Sequence, residues 1–247
     1  MTDRGWALVT GARRRLGRAL ALAAAEAGHD ILIHTRRPGD GEETAGLVRE
    51  RGRTALTVHG DLSDPASPEV LIASAPSAPT LLVNCASLFE HDDIATMTAA
   101  GLDAAYAANL RAPLLLSKAF SAALPQGREG LIVNILDQRV WRPNPHFFSY
   151  TVTKAALWAA TQTLAQALAP RIRVNGIGPG PTLANPLQTP ESFAAEAAAT
   201  PLGEPVHPSE IAAALLDLMD AKSVTGQMIA VDSGQHLAWR TPDVLDG

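Results

Sequence analysis

Residues 6–37 read "WALVTGARRRLGRALALAAAEAGHDILIHTRR". A short apolar run from Trp6 to Thr10 meets a turn carrying Gly11 and Gly17. An Ala/Leu segment with helical spacing follows, and then a second apolar run at 31–34. Strand, glycine-bearing turn, helix and strand in that order make a βαβ unit, whose two strands lie parallel. The pattern continues along the chain, with Val/Ile/Leu-rich runs at 55–58, 80–84, 131–136, 172–176 and 228–231. Most are separated by long Ala/Leu segments of helical period. The expected fold class is therefore α/β: a single domain over 1–247 with a doubly wound parallel sheet of about seven strands and helices on both faces. Residues 178–208 are Pro-rich and loosely patterned, and read as a loop or lid over a site, with a substrate loop at 183–206.

The chain has 247 residues, of which 47% are hydrophobic and 18% charged, enough to bury one substantial core. A formal net charge of −5 offers no overall basic field to nucleic acid or to an anionic membrane. No apolar stretch approaches the roughly 20 residues that span a bilayer. Cys85 is the sole cysteine, which rules out an internal disulfide framework and suits a reducing compartment, so a cytoplasmic location is expected. The seven histidines show no H-E-x-x-H or comparable spacing, so no metal site is expected.

The first turn points to an anion. Arg13, Arg14, Arg15 and Arg18 crowd a helix N-terminus, the end where the macrodipole disfavours cations. A bound phosphate, held by free backbone N–H groups, would relieve that conflict; the alternative is a solvated charge run. After the second strand, Arg36 and Arg37 stand where, in this kind of fold, an acid would bind the ribose of NAD, and so favour the extra phosphate of NADPH; the alternative is two surface arginines, with Asp40 close by. Asp61, in "HGDLSD" after the third strand, sits where a side chain could meet the adenine. Asn84, Ala86 and Ser87 are small or polar, as a backbone passing close beneath a cofactor requires. Phe89 follows in the same loop. The chain carries four Trp, two Tyr and five Phe, yet Trp141, Phe147, Phe148 and Tyr150 fall within ten residues. Such a cluster suits a planar ligand or core packing. Tyr150 and Lys154 lie at i and i+4, on one helix face, where the ammonium would lower the phenol pKa.

At this point the chain resembles the short-chain dehydrogenase/reductase family along essentially its whole length. The resemblance is carried by "TGARRRLG", "NCAS", Asn109, "YTVTK", "GPGPT" and the terminal "TGQMIAVDSG". It implies a Rossmann-type domain binding NADPH/NADP, with Tyr150 as proton donor, Lys154 on the nicotinamide ribose and Asn109 anchoring a proton-relay water. Pro179, Gly180 and Thr182 would lie beside the nicotinamide. Within the matching motifs, Leu16, His34 and Leu62 would join the cofactor contacts. Proteins of this family are commonly tetramers, so a homotetramer is implied.

Asp137 stands where the family usually places serine. An ionised carboxylate there would oppose the oxyanion formed when hydride reaches a ketone. It suits instead a substrate presenting N–H groups, or a C=N bond whose nitrogen gains a proton as its carbon accepts hydride. The sequence is similar to the pteridine reductase branch, which includes dihydromonapterin reductases. The likeness rests on "TGARRRLGR", "HTRR", "NCASLF" and an aspartate thirteen positions before Tyr150. By that resemblance Arg15, Ser87, Phe89, Asp137 and Tyr150 would contact a pterin-like small molecule, with Phe89 stacked on its ring. Two further readings stand beside it: a carbonyl or 3-oxoacyl reductase of the same fold, and a non-catalytic NADP-binding sensor or scaffold.

Overall fold

A computed structural model of the protein describes residues 4–185 and 188–239. Seven strands form one sheet: β1 (Trp6–Val9), β2 (Asp30–Thr35), β3 (Ala55–His59), β4 (Leu81–Asn84), β5 (Gly130–Ile135), β6 (Ile172–Pro179) and β7 (Met228–Val231). Their order is β3-β2-β1-β4-β5-β6-β7, and every neighbouring pair is parallel. The helices are α1 (Arg15–Glu26), α2 (Glu42–Glu50), α3 (Ser67–Ala73), α4 (Ala99–Tyr106), α5 (Ala112–Ala123), α6 (Phe148–Leu168), α7 (Pro190–Ala198) and α8 (Pro208–Asp220). None of the described helices is long and apolar enough to cross a membrane.

Alternation along the strands explains why both faces are covered. Ala7, Val9, Ile31, Ile33, Leu81, Val83, Leu131 and Val133 point to one side, where α1, α2 and α8 pack. Leu8, Leu32, Leu82, Ile132 and Val174 point to the other, against α3, α5 and α6. A sheet buried on both faces needs apolar side chains at every position, and that is why its strands read as continuous apolar runs. The chain works outward from β1 to β3, then crosses to β4 and works outward the other way. The crevice of such a sheet opens at this reversal, at the carboxyl ends of β1 and β4.

One polar chain crosses this apolar interior. Asn84 and Asn134 pair directly across β4 and β5. Asn84 Nδ2 donates to Asn134 Oδ1 at 2.8 Å, Asn134 Nδ2 to Thr161 Oγ1 at 2.9 Å, and Thr161 Oγ1 to the Leu157 carbonyl at 2.8 Å. Asn84, Asn134 and Thr161 are buried, so the chain ties two central strands to α6 in one register.

The segment expected as a loop departs from expectation. β6 runs on to Pro179, and α7 occupies the middle of 183–206, while residues 186 and 187 lie outside the described residues. Thr189 supplies the local reason. Its hydroxyl accepts the amide of Ser192 at 3.1 Å, and Pro190 opens the helix at its first position.

Asn134→Ala would leave the Asn84 amide without its acceptor and the Thr161 hydroxyl without its incoming donor in the core. It should lower unfolding free energy by about 1–3 kcal/mol in urea titration. A loss below about 0.5 kcal/mol would mean that the chain is not a structural tie.

Candidate active site

The carboxyl end of β1 is fastened to two neighbours by small, specific contacts. Gly11 has a left-handed φ of +67°, and a Cβ there would sit 3.0 Å from Ala86 Cα. The Gly11 amide donates to His34 Nδ1 at 3.2 Å, the Ala12 amide donates to the His34 carbonyl at 3.1 Å, and His34 Nε2 lies 3.0 Å from the Gly60 carbonyl. A ring nitrogen facing a carbonyl must donate, so the other nitrogen accepts and the imidazole is neutral. Burial lowers the His34 pKa in the same direction. Thr10 Oγ1 accepts the amides of Cys85 and Ala86 at 2.9 and 3.0 Å, joining β1 to the exit of β4. Gly17 leaves no room for a side chain against the Gly11 carbonyl. Asn84 Oδ1 is buried at this edge without a hydrogen-bond partner among the described residues.

The arginines of the turn divide by partner. Arg13 pairs with Asp40 at 3.2 Å and Arg18 with Glu43 at 2.6 Å. Arg14 is the N-cap of α1 and supplies no side-chain cap, and the first turn of α1 holds no acid. Arg15 adopts a left-handed φ of +54° and donates to the carbonyls of Leu183 and Ala184 at 3.0 and 2.9 Å. Arg36 pairs with Asp61 at 2.9 Å. Hydrogen bonds from Ser63, and then Arg36, hold Asp61 below the usual carboxylate range. Arg14 and Arg37 are exposed and have no ion pair among the described residues. Leu62 is buried in the core, and Leu16 is half-buried on the wall of the crevice.

The central feature lies past β5. Asp137 caps a short 3-10 turn, Gln138–Val140, accepting the Arg139 amide on Oδ1 at 2.8 Å. Its Oδ2 accepts the Tyr150 hydroxyl at 2.8 Å and lies 3.6 Å from the Arg139 guanidinium. Burial pushes the Asp137 carboxyl upward, against the pull of Arg139, so the acid retains a proton more readily than an exposed aspartate. Lys154 Nζ donates to the Ile135 carbonyl at 2.6 Å, and burial lowers its pKa to about 8. The expected lowering of the Tyr150 pKa is reversed. Burial first, and the Asp137 charge second, hold the phenol well above its usual range.

Asn109 lies in a single π-helical stretch, Ala107–Arg111, between α4 and α5. Its Oδ1 accepts the Leu88 amide at 2.7 Å and the Ser87 hydroxyl at 3.1 Å. Its Nδ2 donates to the Leu88 carbonyl at 2.9 Å and to Thr153 Oγ1 at 3.2 Å. The side chain thus braces the β4 exit loop against α6. Asp92 braces α6 at its start by accepting the Ser149 amide at 3.1 Å, in place of the left-handed Phe147 that precedes the helix.

Phe89 stacks on Phe147 with ring centroids 4.3 Å apart and meets Tyr150 edge-on at 4.6 Å. The Arg139 guanidinium lies 5.2 Å from the Phe147 ring and 5.5 Å from Phe89. These groups line a cleft of about 710 Å³ with Arg14, Arg15, Leu16, Ser87, Asp137, Lys154, Pro179, Gly180 and Thr182. The β6 exit is tight: the Gly180 amide donates to the Val231 carbonyl at 3.0 Å, and a Cβ on Gly180 would sit 2.6 Å from Asp232 Cα. The structure therefore gathers Arg15, Ser87, Phe89, Asp137 and Tyr150 in one cleft. His34 and Leu62 lie behind it in the core, and Arg36, Arg37 and Asp61 at the ends of β2 and β3. Cys85 also lines the cleft, its thiol pushed up to about 12 by burial. Sequence reasoning missed Arg139, Phe193, Glu196 and Gln235 as lining residues. For Phe147 the dense aromatic run was the available signal.

The family model for enoyl-(acyl carrier protein) reductases matches residues 11–236. A crystal structure of FolM alternative dihydrofolate reductase 1 from Brucella canis, complexed with NADP, is 44% identical, with a TM-score of 0.94 over 99% of this chain and 98% of that one. The angucycline C-6 ketoreductase LanV with bound NADP is 27% identical, with a TM-score of 0.86 over 96% of this chain and all of that one. An uncharacterized oxidoreductase of Mycobacterium tuberculosis (strain CDC 1551 / Oshkosh) is 33% identical over 238 residues, covering 92% of this chain and 90% of its own.

The two tyrosines make one electrostatic prediction readable, because Tyr106 is exposed and Tyr150 buried. Asp137→Asn removes the charge and the charged hydrogen-bond acceptor that raise Tyr150. Its phenolate should therefore form at lower pH than in the parent, in an ultraviolet pH titration. An unchanged Tyr150 titration would mean that burial alone sets its pKa.

Proposed function

Because the chain belongs to the short-chain dehydrogenase/reductase family, we propose that it catalyses the NADPH-dependent reduction of a C=N bond in a pterin-like ring. The observation that carries this reading is the hydrogen bond from Tyr150 to a half-buried carboxylate, Asp137, at 2.8 Å. A carboxylate beside the reacting centre opposes a developing oxyanion and favours a nitrogen that gains a proton. The 44% identity to a dihydrofolate reductase crystallised with NADP supports the same substrate class.

The residues at the crevice fit the cofactor. Uncapped α1 amides, Gly11, Gly17, Arg13, Arg14 and Leu16 would seat the pyrophosphate, while His34 holds the turn in shape from behind. Arg36 and Arg37 would take the ribose phosphate, with Asp61 and Leu62 on the adenine side. Asn84, whose Oδ1 lacks a partner among the described residues, Ala86 and Ser87 would flank the nicotinamide half from β4, and Pro179, Gly180 and Thr182 from β6. Lys154 would face the ribose, and Asn109 would fix the loop that carries Ser87. When bound, NADPH supplies the hydride.

The chain's own task is the proton. Burial raises Asp137, so the Asp137–Tyr150 pair can hold an extra proton on the carboxyl. Asp137 releases that proton to the ring nitrogen, and the Tyr150 O–H then stabilises the carboxylate left behind. Phe89, with Phe147 behind it, offers a flat face to the ring, and Arg15 offers donors at its edge. A homotetramer fits the exposure of Tyr106 and Val152 on α4 and α6.

The likeness to a ketoreductase favours a second reading, reduction of a carbonyl or a 3-oxoacyl thioester. The two readings separate on one variant. Asp137→Ser should lower kcat/KM for dihydropterins by about 100-fold or more, followed by NADPH absorbance. In the parent, that activity should fall as pH rises through the raised Asp137 pKa, because the proton donor is then lost. Thioester turnover that survives or improves in Asp137→Ser, with no dihydropterin turnover in the parent, would replace the pterin reading with the carbonyl one.

A further inference from the structure

The cleft that holds Asp137 and Tyr150 has a second acid, Glu196, which the chemistry above does not use. Phe193 and Glu196 lie three residues apart on α7, and both line the cleft. Glu196 Oε2 accepts Gln188 Nε2 at 2.6 Å, and its Oε1 accepts Gln235 Nε2 at 3.3 Å. Gln188 is itself oriented, since its Oε1 accepts the Asn185 amide at 3.2 Å and Asn185 Nδ2 at 2.9 Å. Gln188 and Gln235 therefore each turn a side-chain donor toward Glu196, and Asn185 holds Gln188 in that orientation. No cation pairs with Glu196 among the described residues, and the side chain is half-buried. Three cations of the same cleft are committed elsewhere. Arg139 faces Asp137, Lys154 the Ile135 carbonyl, and Arg15 the carbonyls of Leu183 and Ala184. Arg14 stands at the α1 turn.

A half-buried carboxylate that accepts only two amide donors has lone pairs left over for the cleft it lines. A cleft of about 710 Å³ accommodates a drug-sized molecule. Lys154, Pro179, Gly180 and Thr182 in its wall would face the cofactor, whereas Phe193, Glu196 and Gln235 have no such task and are left for a substituent on the ring. We propose that Glu196 is a specificity-determining residue that reads this substituent: it admits hydroxyl or amide donors and rejects a carboxylate-bearing tail. The inference deepens the pterin reading and rests on it for the identity of the ring. Discrimination comes from a built-in repulsive element rather than from an extra attraction.

The test compares purified parent, Glu196→Gln and Glu196→Asp on three substrates with NADPH. These are dihydropterin without a substituent, dihydrobiopterin with its hydroxylated chain, and dihydrofolate with its carboxylate tail. Glu196→Gln should raise kcat/KM for dihydrofolate by about tenfold or more relative to dihydropterin, because like-charge repulsion is removed. Dihydrobiopterin should not gain. Glu196→Asp, which keeps the charge, should keep the discrimination and serves as the folding control. Parallel changes on all three substrates, or no change in their ratios, would overturn the proposal. If the parent reduces no dihydropterin, the pterin reading fails alone. The charge filter is then read from 4-carboxybenzaldehyde against 4-(hydroxymethyl)benzaldehyde, by turnover or by binding. A preference that Glu196→Gln leaves unmoved would overturn it there.

Discussion

Parallel strands deliver all their carboxyl ends to one edge of the sheet, and the site follows from that constraint. β1 brings the glycine turn, β2 and β3 the Arg36–Asp61 pair, β4 Ser87 and Phe89, β5 Asp137, and β6 Gly180. No single segment holds the chemistry. What makes these ends one surface is the set of short ties between them: His34 under the first turn, Thr10 on the β4 exit, and Asn84 on Asn134. Each tie is buried or partly buried, where a lost hydrogen bond is costly, so the edge is held in a single arrangement.

Within that edge, Asp137 changes the logic of the tyrosine. With a small donor at this position, Tyr150 would face the substrate alone, and a cation would be the main influence on its acidity. With Asp137 accepting its proton, the phenol becomes a support and the carboxyl becomes the more acidic member of the pair. Lys154 does not offset this, since its ammonium donates to a main-chain carbonyl. The two groups titrate as a unit, and their proton belongs to the pair.

The strands were legible because burial on both faces writes itself as uninterrupted Val, Ile and Leu. Tyr150 and Lys154 were legible because a helix repeats, and Asp137 because an acid at the end of an apolar strand is out of place. α7 was not legible. Its Thr189–Pro190 start is a good helix signal, but the prolines and glycines around it outweighed nine residues of weak amphipathicity. The pKa of Tyr150 was not legible either, because it depends on burial and on where Lys154 Nζ points rather than on spacing. Glu196 meets Gln235 across 39 positions, and nothing in the local pattern of either predicts it. The same holds for Phe89 and Phe147, which meet only because Phe147 takes a left-handed backbone before α6.

Arg15 spans two parts of the crevice. Its backbone belongs to the turn after β1, and its guanidinium holds the carbonyls of Leu183 and Ala184 beyond β6. Both bonds leave from Nη2, so a ligand that takes the Nη1 and Nε donors shares one guanidinium with the rim, and seating the ligand and fastening the rim are coupled. Thermodynamic linkage makes the relation reciprocal: whatever changes the hold on the rim changes the hold on that ligand by the same factor.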